Sequence, residues 1–160
     1  MINSFTGRYH FLSNFYPCEI EHQGITYPSV EHFYVAMKFT DEQLIDGKYY
    51  TCGDLRELIA TMKNPGAVKK FSRKLKLRKD WDNKKLEFME YAIKEKFKDN
   101  TLSDLLKSTG DNELIECNYW GDTFWGVCDG KGKNHLGKIL MKVRDKLNNK
   151  GLDSIFDNYS

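Results

Sequence analysis

Several features that commonly reveal a protein's function are missing from this sequence. Its four cysteines, Cys18, Cys52, Cys117 and Cys128, form no C-x-x-C pair and have no histidine at zinc spacing. That pattern argues against a structural metal and points to free thiols in a reducing cytoplasm. No apolar run approaches the ~18 residues that a membrane-spanning helix needs, and the N-terminal residues lack the basic and apolar regions of a signal peptide. A cytoplasmic location with no membrane partner is therefore expected. There is no internal repeat, low-complexity segment or linker-like stretch. Neither sign of charge dominates: 25 Lys and Arg stand against 23 Asp and Glu, so net charge demands no polyanionic partner. No Ser/His/Asp arrangement can be argued.

What is present suits one domain. The 160 residues are long enough to bury a sizeable core, and the expected extent is residues 1–150, with 151–160 a loosely attached tail. Ten Phe, nine Tyr and three Trp can fill that core and also line a pocket for a flat ligand. Residues 5–27 read as extended, with a hairpin around His22-Gln23-Gly24. Tyr27 to Lys38 reads as an amphipathic helix opened by a turn. Asp54 is placed to cap a helix carrying Leu55, Leu58, Ile59 and Met62, and Asn64-Pro65 to start another. A longer helix is expected from about Asn83 to Lys98, burying Leu86, Met89, Ile93 and Phe97. A short one capped by Thr101 follows, and a last one is capped by Asn134. Residues 114–117 and 124–127 read as strands around a loop. The fold class is α+β, predominantly helical: a single compact domain with short β-hairpins near the N-terminus and in the C-terminal half.

Five segments carry candidate chemistry. Seven helical residues turn through about 700°, so Glu31 and Lys38 point within about 20° of each other. Glu31 is either an ordinary first-turn glutamate or a carboxylate kept ionised near a helix start, fit for a base or cation stabiliser. Lys38 is either its salt-bridge partner, a phosphate contact or a nucleophile. His32 reads as a packing histidine. Asp122 lies in a glycine-bounded aromatic loop, Tyr119 to Gly126, and is a turn residue or a sugar contact; Trp125 beside it could stack a base. Gly130 to Gly137 is glycine-rich and enters a helix, where phosphate can bind, yet it is neither a P-loop nor a dinucleotide fingerprint. Trp81 follows a block from Lys63 to Lys79 with eight basic residues and no acid. That block is a solvated face or a phosphate or nucleic-acid contact. Ser13-Asn14 sits between large apolar residues, as a turn or as a pair aimed into a pocket.

Together these segments resemble the NADAR, or YbiA-like, family. The matching pieces are Phe11-Leu12-Ser13-Asn14-Phe15, Tyr27 to His32 continuing through Ala36-Met37-Lys38, Leu77 to Trp81, Met89 to Phe97, and Thr109-Gly110-Asp111 leading to Glu116. Asp122-Thr123-Phe124-Trp125-Gly126 and Gly132 to Gly137 complete the match, which spans roughly residues 5–147 in one order. The resemblance implies hydrolysis of the N-glycosidic bond of a phosphorylated riboside, with no metal or cofactor. The implied substrate is an ADP-ribosylated guanine base, carried by nucleic acid or a nucleotide. The alternatives are a ribosylamino-pyrimidine intermediate of riboflavin synthesis, or a non-catalytic module that binds NAD or ADP-ribose. It also implies Glu31, Asp122 and Lys38 as catalytic residues. Ser13, Asn14, Trp81, Trp125, Gly126, Gly132 and Asn134 would contact substrate.

Overall fold

The computed structural model describes residues 1–149, so the expected tail at 151–160 lies outside the described residues. Six α-helices and three two-stranded β-pairs are joined by loops and short 3-10 turns among the described residues. Helix predominates, the α+β class expected from sequence. The chain groups into two compact units, Asn14–Lys96 and residues 1–13 with 97–149. No helix of the described residues is long and apolar enough to cross a membrane.

In the unit Asn14–Lys96, β1 (Ile20–His22) pairs antiparallel with β2 (Ile25–Tyr27). Gln23 and Gly24 both take positive φ, 50° and 80°, which a type I′ hairpin turn requires. A second hairpin joins β3 (Gln43–Ile45) to β4 (Lys48–Tyr50) on Asp46-Gly47, with φ of 51° and 81°. The sequence reading left that region without an element, although Asp-Gly is itself a hairpin signal.

Four helices complete this unit: α1 (Val30–Ala36), α2 (Cys52–Thr61), α3 (Pro65–Phe71) and α4 (Trp81–Lys96). The amphipathic helix expected as far as Lys38 is shorter, and it is not amphipathic. It ends at Ala36, with Lys38 in a turn whose amide donates to Val35 O at 3.1 Å. All seven of its residues are buried, because α1 packs against α2, α3 and α4 and keeps no solvent face. Its Phe33 ring meets those of His22, Tyr27, Phe88 and Tyr91 at centroid distances of 5.4, 5.7, 6.4 and 5.4 Å.

The flanking helices shift a few boundaries. Thr51, not Asp54, caps α2, its hydroxyl accepting from the Asp54 amide at 3.1 Å; Asp54 sits in the first turn, where an acid is favoured. Asn64 caps α3 as expected, accepting from Gly66 N at 2.8 Å ahead of Pro65. α4 starts at Trp81 rather than Asn83, and Leu86, expected inside, is 40% exposed. The buried face of α4 instead runs through Trp81, Met89, Ala92, Ile93 and Lys96.

In the other unit, residues 7–12 are a 3-10 helix and not extended, with Phe11 and Leu12 buried. It packs on α5 (Asn100–Ser108), which is capped by Asp99 accepting from Leu102 N at 3.0 Å rather than by Thr101. α5 packs in turn on α6 (His135–Asn148), whose stripe of Leu136, Ile139, Leu140 and Val143 is buried as the periodicity predicts. The expected hairpin in this half is a different element. β5 (Cys117–Asn118) and β6 (Val127–Cys128) pair in parallel, Cys117 opposite Val127. The intervening loop therefore doubles back, which Gly121 at φ 87° assists.

His32 shows how α1 tolerates polar groups without solvent. Ser29 caps the helix by accepting from the His32 amide at 3.2 Å. His32 Nε2 lies 2.7 Å from Met62 O, which can only accept, so Nε2 carries the proton. Nδ1 then accepts from the Ser29 hydroxyl at 2.6 Å. The ring is held neutral, and burial pulls its pKa below the ordinary histidine value of 6.5. As pH falls through 6.5 the unfolded chain takes up this proton before the folded one does. We expect urea denaturation to show stability falling between pH 7.5 and pH 5.5, by at most about 1.4 kcal/mol per pH unit from this residue. His32→Gln, less stable at pH 7.5, should lose that part of the slope and retain the smaller part due to His22, whose pKa is also lowered by burial.

Candidate active site

The residues singled out from sequence fall into two groups, one in each unit. Glu31, Lys38, Trp81 and Asn14 belong to Asn14–Lys96; Asp122, Trp125, Gly126, Gly132 and Asn134 belong to the other, as does Ser13.

The first group is organised by α1. Glu31 occupies its second position, donates its amide to Asn14 O at 3.1 Å, and is only 8% exposed. One end of the helix therefore holds a carboxylate in the interior. Beyond the other end, the Lys38 ammonium lies 5.2 Å from the Tyr34 ring centre and 5.9 Å from that of Trp81. Burial lowers the Lys38 pKa, the Glu31 carboxylate partly restores it, and Lys69 and Lys85 lower it further. Glu31 and Lys38 are thus electrostatically coupled, as their spacing predicts.

Aromatic rings wall this corner. Trp81, 6% exposed, tilts against Tyr34 at 5.0 Å and stacks with Phe88 at 6.1 Å and 20°. Arg78 lies 5.2 Å over Phe88 and grips Asp80 through Nε at 2.6 Å and Nη2 at 3.2 Å. Its backbone amide donates to Lys38 O at 2.7 Å, which anchors the lysine's main chain. Asn14 adds a polar feature: its Oδ1 is buried with no hydrogen-bond partner, an acceptor that lost its water on folding. An amine of lowered pKa, a carboxylate and an aromatic wall can together carry proton transfer and nucleophilic attack beside a flat group. Among the described residues no group of three His, Cys, Asp or Glu could hold a metal ion.

The second group is a loop built on close backbone approach. Asp122 Oδ1 accepts from the amides of Phe124 and Trp125 at 3.1 and 2.9 Å. Asn118 holds Asp122 from both sides, accepting from its amide at 3.0 Å and donating to its carbonyl at 2.9 Å. The amides of Lys133, Asn134, His135 and Leu136 donate to the carbonyls of Thr123, Gly126, Phe124 and Trp125, respectively. The start of α6, open to a phosphate on one sequence reading, therefore has those four donors engaged. Asn134, expected to cap α6 with its side chain, takes left-handed φ 52° and makes no such bond. Its amide group instead accepts from Glu116 N and donates to Leu114 O, both at 3.0 Å. The Trp125 ring sits edge-on to Phe124 at 4.8 Å.

Sequence reasoning did not single out Asn118 or Lys85. It also missed the chemistry of Lys96, a lysine 1% exposed whose ammonium lies 5.8 Å from the Tyr16 ring centre. Burial pushes that amine down to about 8. A lysine on the apolar stripe of α4 was the available signal.

The loop's glycines give a stability test. A Cβ on Gly126 would land on the backbone carbonyl of Glu116, whereas one on Gly53 in α2 would meet nothing within 4 Å. Gly126→Ala should cost about 3 kcal/mol, at the upper end for overpacking. Gly53→Ala should be neutral or stabilising by up to ~1 kcal/mol. Denaturant midpoints of the two variants check this.

Comparison with known proteins agrees with this arrangement. The NADAR domain family model matches residues 3–148. A riboflavin biosynthesis protein of Vibrio vulnificus is 40% identical over 141 residues, covering 86% of this chain, and the match spans 35% of that protein's length. An N-glycosidase of Nostoc punctiforme is 37% identical over 143 residues, 88% of this chain and 87% of the relative. The N-glycosidase YbiA of Escherichia coli is 36% identical over 143 residues, 87% of this chain and 82% of the relative. The solved structure of E. coli YbiA superposes with a TM-score of 0.76 at 32% identity, covering 95% of this chain and 88% of that one. With a buried Glu31–Lys38 pair on one side of the account and a family match along nearly all the described residues on the other, the chain belongs to the NADAR domain family.

Proposed function

We propose that the protein is an N-glycosidase that hydrolyses the ribosyl C–N bond of a phosphorylated riboside, with an ADP-ribosylated guanine base as its substrate. The observation that carries the reading is the desolvated amine of Lys38, coupled to the buried Glu31 and set against Tyr34 and Trp81. The names of the relatives from Nostoc and E. coli support the reaction class. A second reading of the substrate, a ribosylamino-pyrimidine of riboflavin synthesis, draws on the names of the Vibrio and maize relatives. The four free cysteines suit a cytoplasmic setting.

In the proposed mechanism Lys38 passes its proton to Glu31 and becomes a neutral nucleophile. The glycosidic nitrogen pushes its lone pair towards C1′ as the C1′–O4′ bond breaks, and Glu31 delivers the proton to O4′. The Lys38 amine adds to C1′. The base then departs with a proton as the original C–N bond breaks, leaving a Schiff base that water hydrolyses to free sugar and amine. Trp81 would stack the base, and Asn14 Oδ1 would accept from a sugar hydroxyl. Asp122, its carboxylate fixed by two amides, is proposed to accept a hydroxyl hydrogen bond, with Trp125 as a further stacking surface. Ser13 is proposed as a hydrogen-bonding contact. Gly126, Gly132 and Asn134 would serve by shaping the loop that presents these groups.

Incubation with ADP-ribosyl-guanine DNA and, separately, with a ribosylamino-pyrimidine phosphate should release ADP-ribose or ribose phosphate from one of them. Glu31→Gln should lower turnover by about 10²- to 10⁴-fold with ligand affinity largely kept. Borohydride added during turnover should leave a reduced adduct on Lys38. No adduct, with Lys38→Ala still active, would move the chemistry to a water activated by Glu31. No product from either substrate, with Glu31→Gln binding ADP-ribose as wild type does, would make the protein a binding module instead.

A further inference from the structure

The cations around Lys38 are more numerous than the fold requires. Carbonyls at the C-terminal end of α1 and just beyond are already answered. Ala36 O and Phe39 O accept from Arg56, each at 2.9 Å, Lys38 O accepts from the Arg78 amide at 2.7 Å, and Met37 O lies 3.5 Å from Arg78 Nη1. A helix end satisfied in this way needs no further cations. Yet two more converge on it, one from each flank. Lys69 comes from α3 and Lys85 from α4, both helices packed against α1, and both act on the Lys38 ammonium.

Lys85 is placed by helix geometry. Trp81, Lys85 and Phe88 are spaced i, i+4, i+7, so the lysine rises from the face that carries the Trp81–Phe88 stack. Its side chain is 22% exposed, an aliphatic stem covered by neighbours with the amine at the rim. The acids nearby are Glu31, in the interior, and Asp82, 91% exposed and 3.4 Å from the Lys85 amine. Three lysines against these two carboxylates leave the corner positive. Like charges gathered in one place repel, and the arrangement is stabilised by an anion that bridges them.

We propose that Lys69 and Lys85 form a phosphate subsite beside Lys38, holding a phosphate of the riboside while its sugar carbon faces Lys38 and Glu31. This rests on the glycosidase reading for the identity of the ligand, and it names two residues that the reaction itself does not use. Lysines are suited to the task, as mobile point charges that follow a phosphate without demanding bidentate geometry.

The test is binding, which needs no turnover. Titration calorimetry on the full chain at low salt would use ADP-ribose, ribose 5-phosphate and unphosphorylated ribose with the wild type, Lys69→Gln, Lys85→Gln and the double variant. Each single variant should weaken ADP-ribose by about tenfold, and the double variant by more, as expected for losing one charged contact at a time. Ribose should be unaffected. A parallel loss for ribose 5-phosphate assigns the subsite to the phosphate nearest the sugar. A loss confined to ADP-ribose assigns it to the second phosphate. Unchanged ADP-ribose affinity in the double variant overturns the proposal, as does failure of the wild type to bind either phosphorylated probe. Weakened binding of single-stranded DNA with ADP-ribose affinity intact also overturns it, assigning the lysines to a polynucleotide backbone. Lysine-dependent ADP-ribose binding without cleavage of any glycoside would keep the subsite and remove the enzyme reading alone.

Discussion

A helix enclosed on every side must find a partner inside the protein for each polar atom it carries, and α1 sets this condition for the whole unit Asn14–Lys96. Ser29 and Met62 O between them complete the hydrogen bonding of His32. Arg56 and Arg78 reach the carbonyls beyond Ala36. Glu31 and Lys38 are left as charged groups in a region with little water, where each acts strongly on the other. Burying two charges is costly in stability, and a fold that keeps them has reason to use them. The chemistry proposed for this protein follows from that burial rather than from any feature of Glu31 or Lys38 alone.

The other unit works by a different constraint, namely backbone approach. Gly126, Gly132 and Gly137 stand where a Cβ would strike the main chain of a neighbouring segment. The four amides at the start of α6 tie that helix to the aromatic loop, while Asn134 clasps the strand-like segment at Leu114 to Glu116. Asp122 shapes its own loop through two amides, so the carboxylate is fixed in position before any ligand arrives. Preorganisation of this kind is what a hydrogen bond to a sugar needs, since no reorganisation is left for the moment of binding.

Much of this was legible in the sequence, and where it was not the reasons are physical. The Asn64-Pro65 helix start and the stripe of α6 follow from capping and period, which are local rules. The pairing of Glu31 with Lys38 was visible as a seven-residue spacing, even though the helix stops at Ala36, because the following turn keeps Lys38 near the same side. The complete burial of α1 was invisible, since its polar residues imitate a solvent face and only their tertiary partners show otherwise. The parallel pairing of Cys117 with Val127 was hidden for a similar reason: a loop that doubles back reads like a hairpin until its register is known. Thr51 displaced Asp54 as a cap because both residue types suit that position, and three residues' shift leaves the pattern almost unchanged. The cluster of Lys38, Lys69 and Lys85 draws on three separate helices' neighbourhoods, which no local pattern links.

The coupling of Glu31 to a desolvated Lys38 is the claim on which the functional account depends, and it can be measured without a substrate. Titration of the Lys38 amine by NMR, in wild type and in Glu31→Gln, reads it directly. The account predicts a wild-type pKa below the ordinary lysine range and a lower one still in Glu31→Gln, because the carboxylate supports the ammonium. A Lys38 that titrates with the surface lysines, and does not respond to the loss of Glu31, would contradict it.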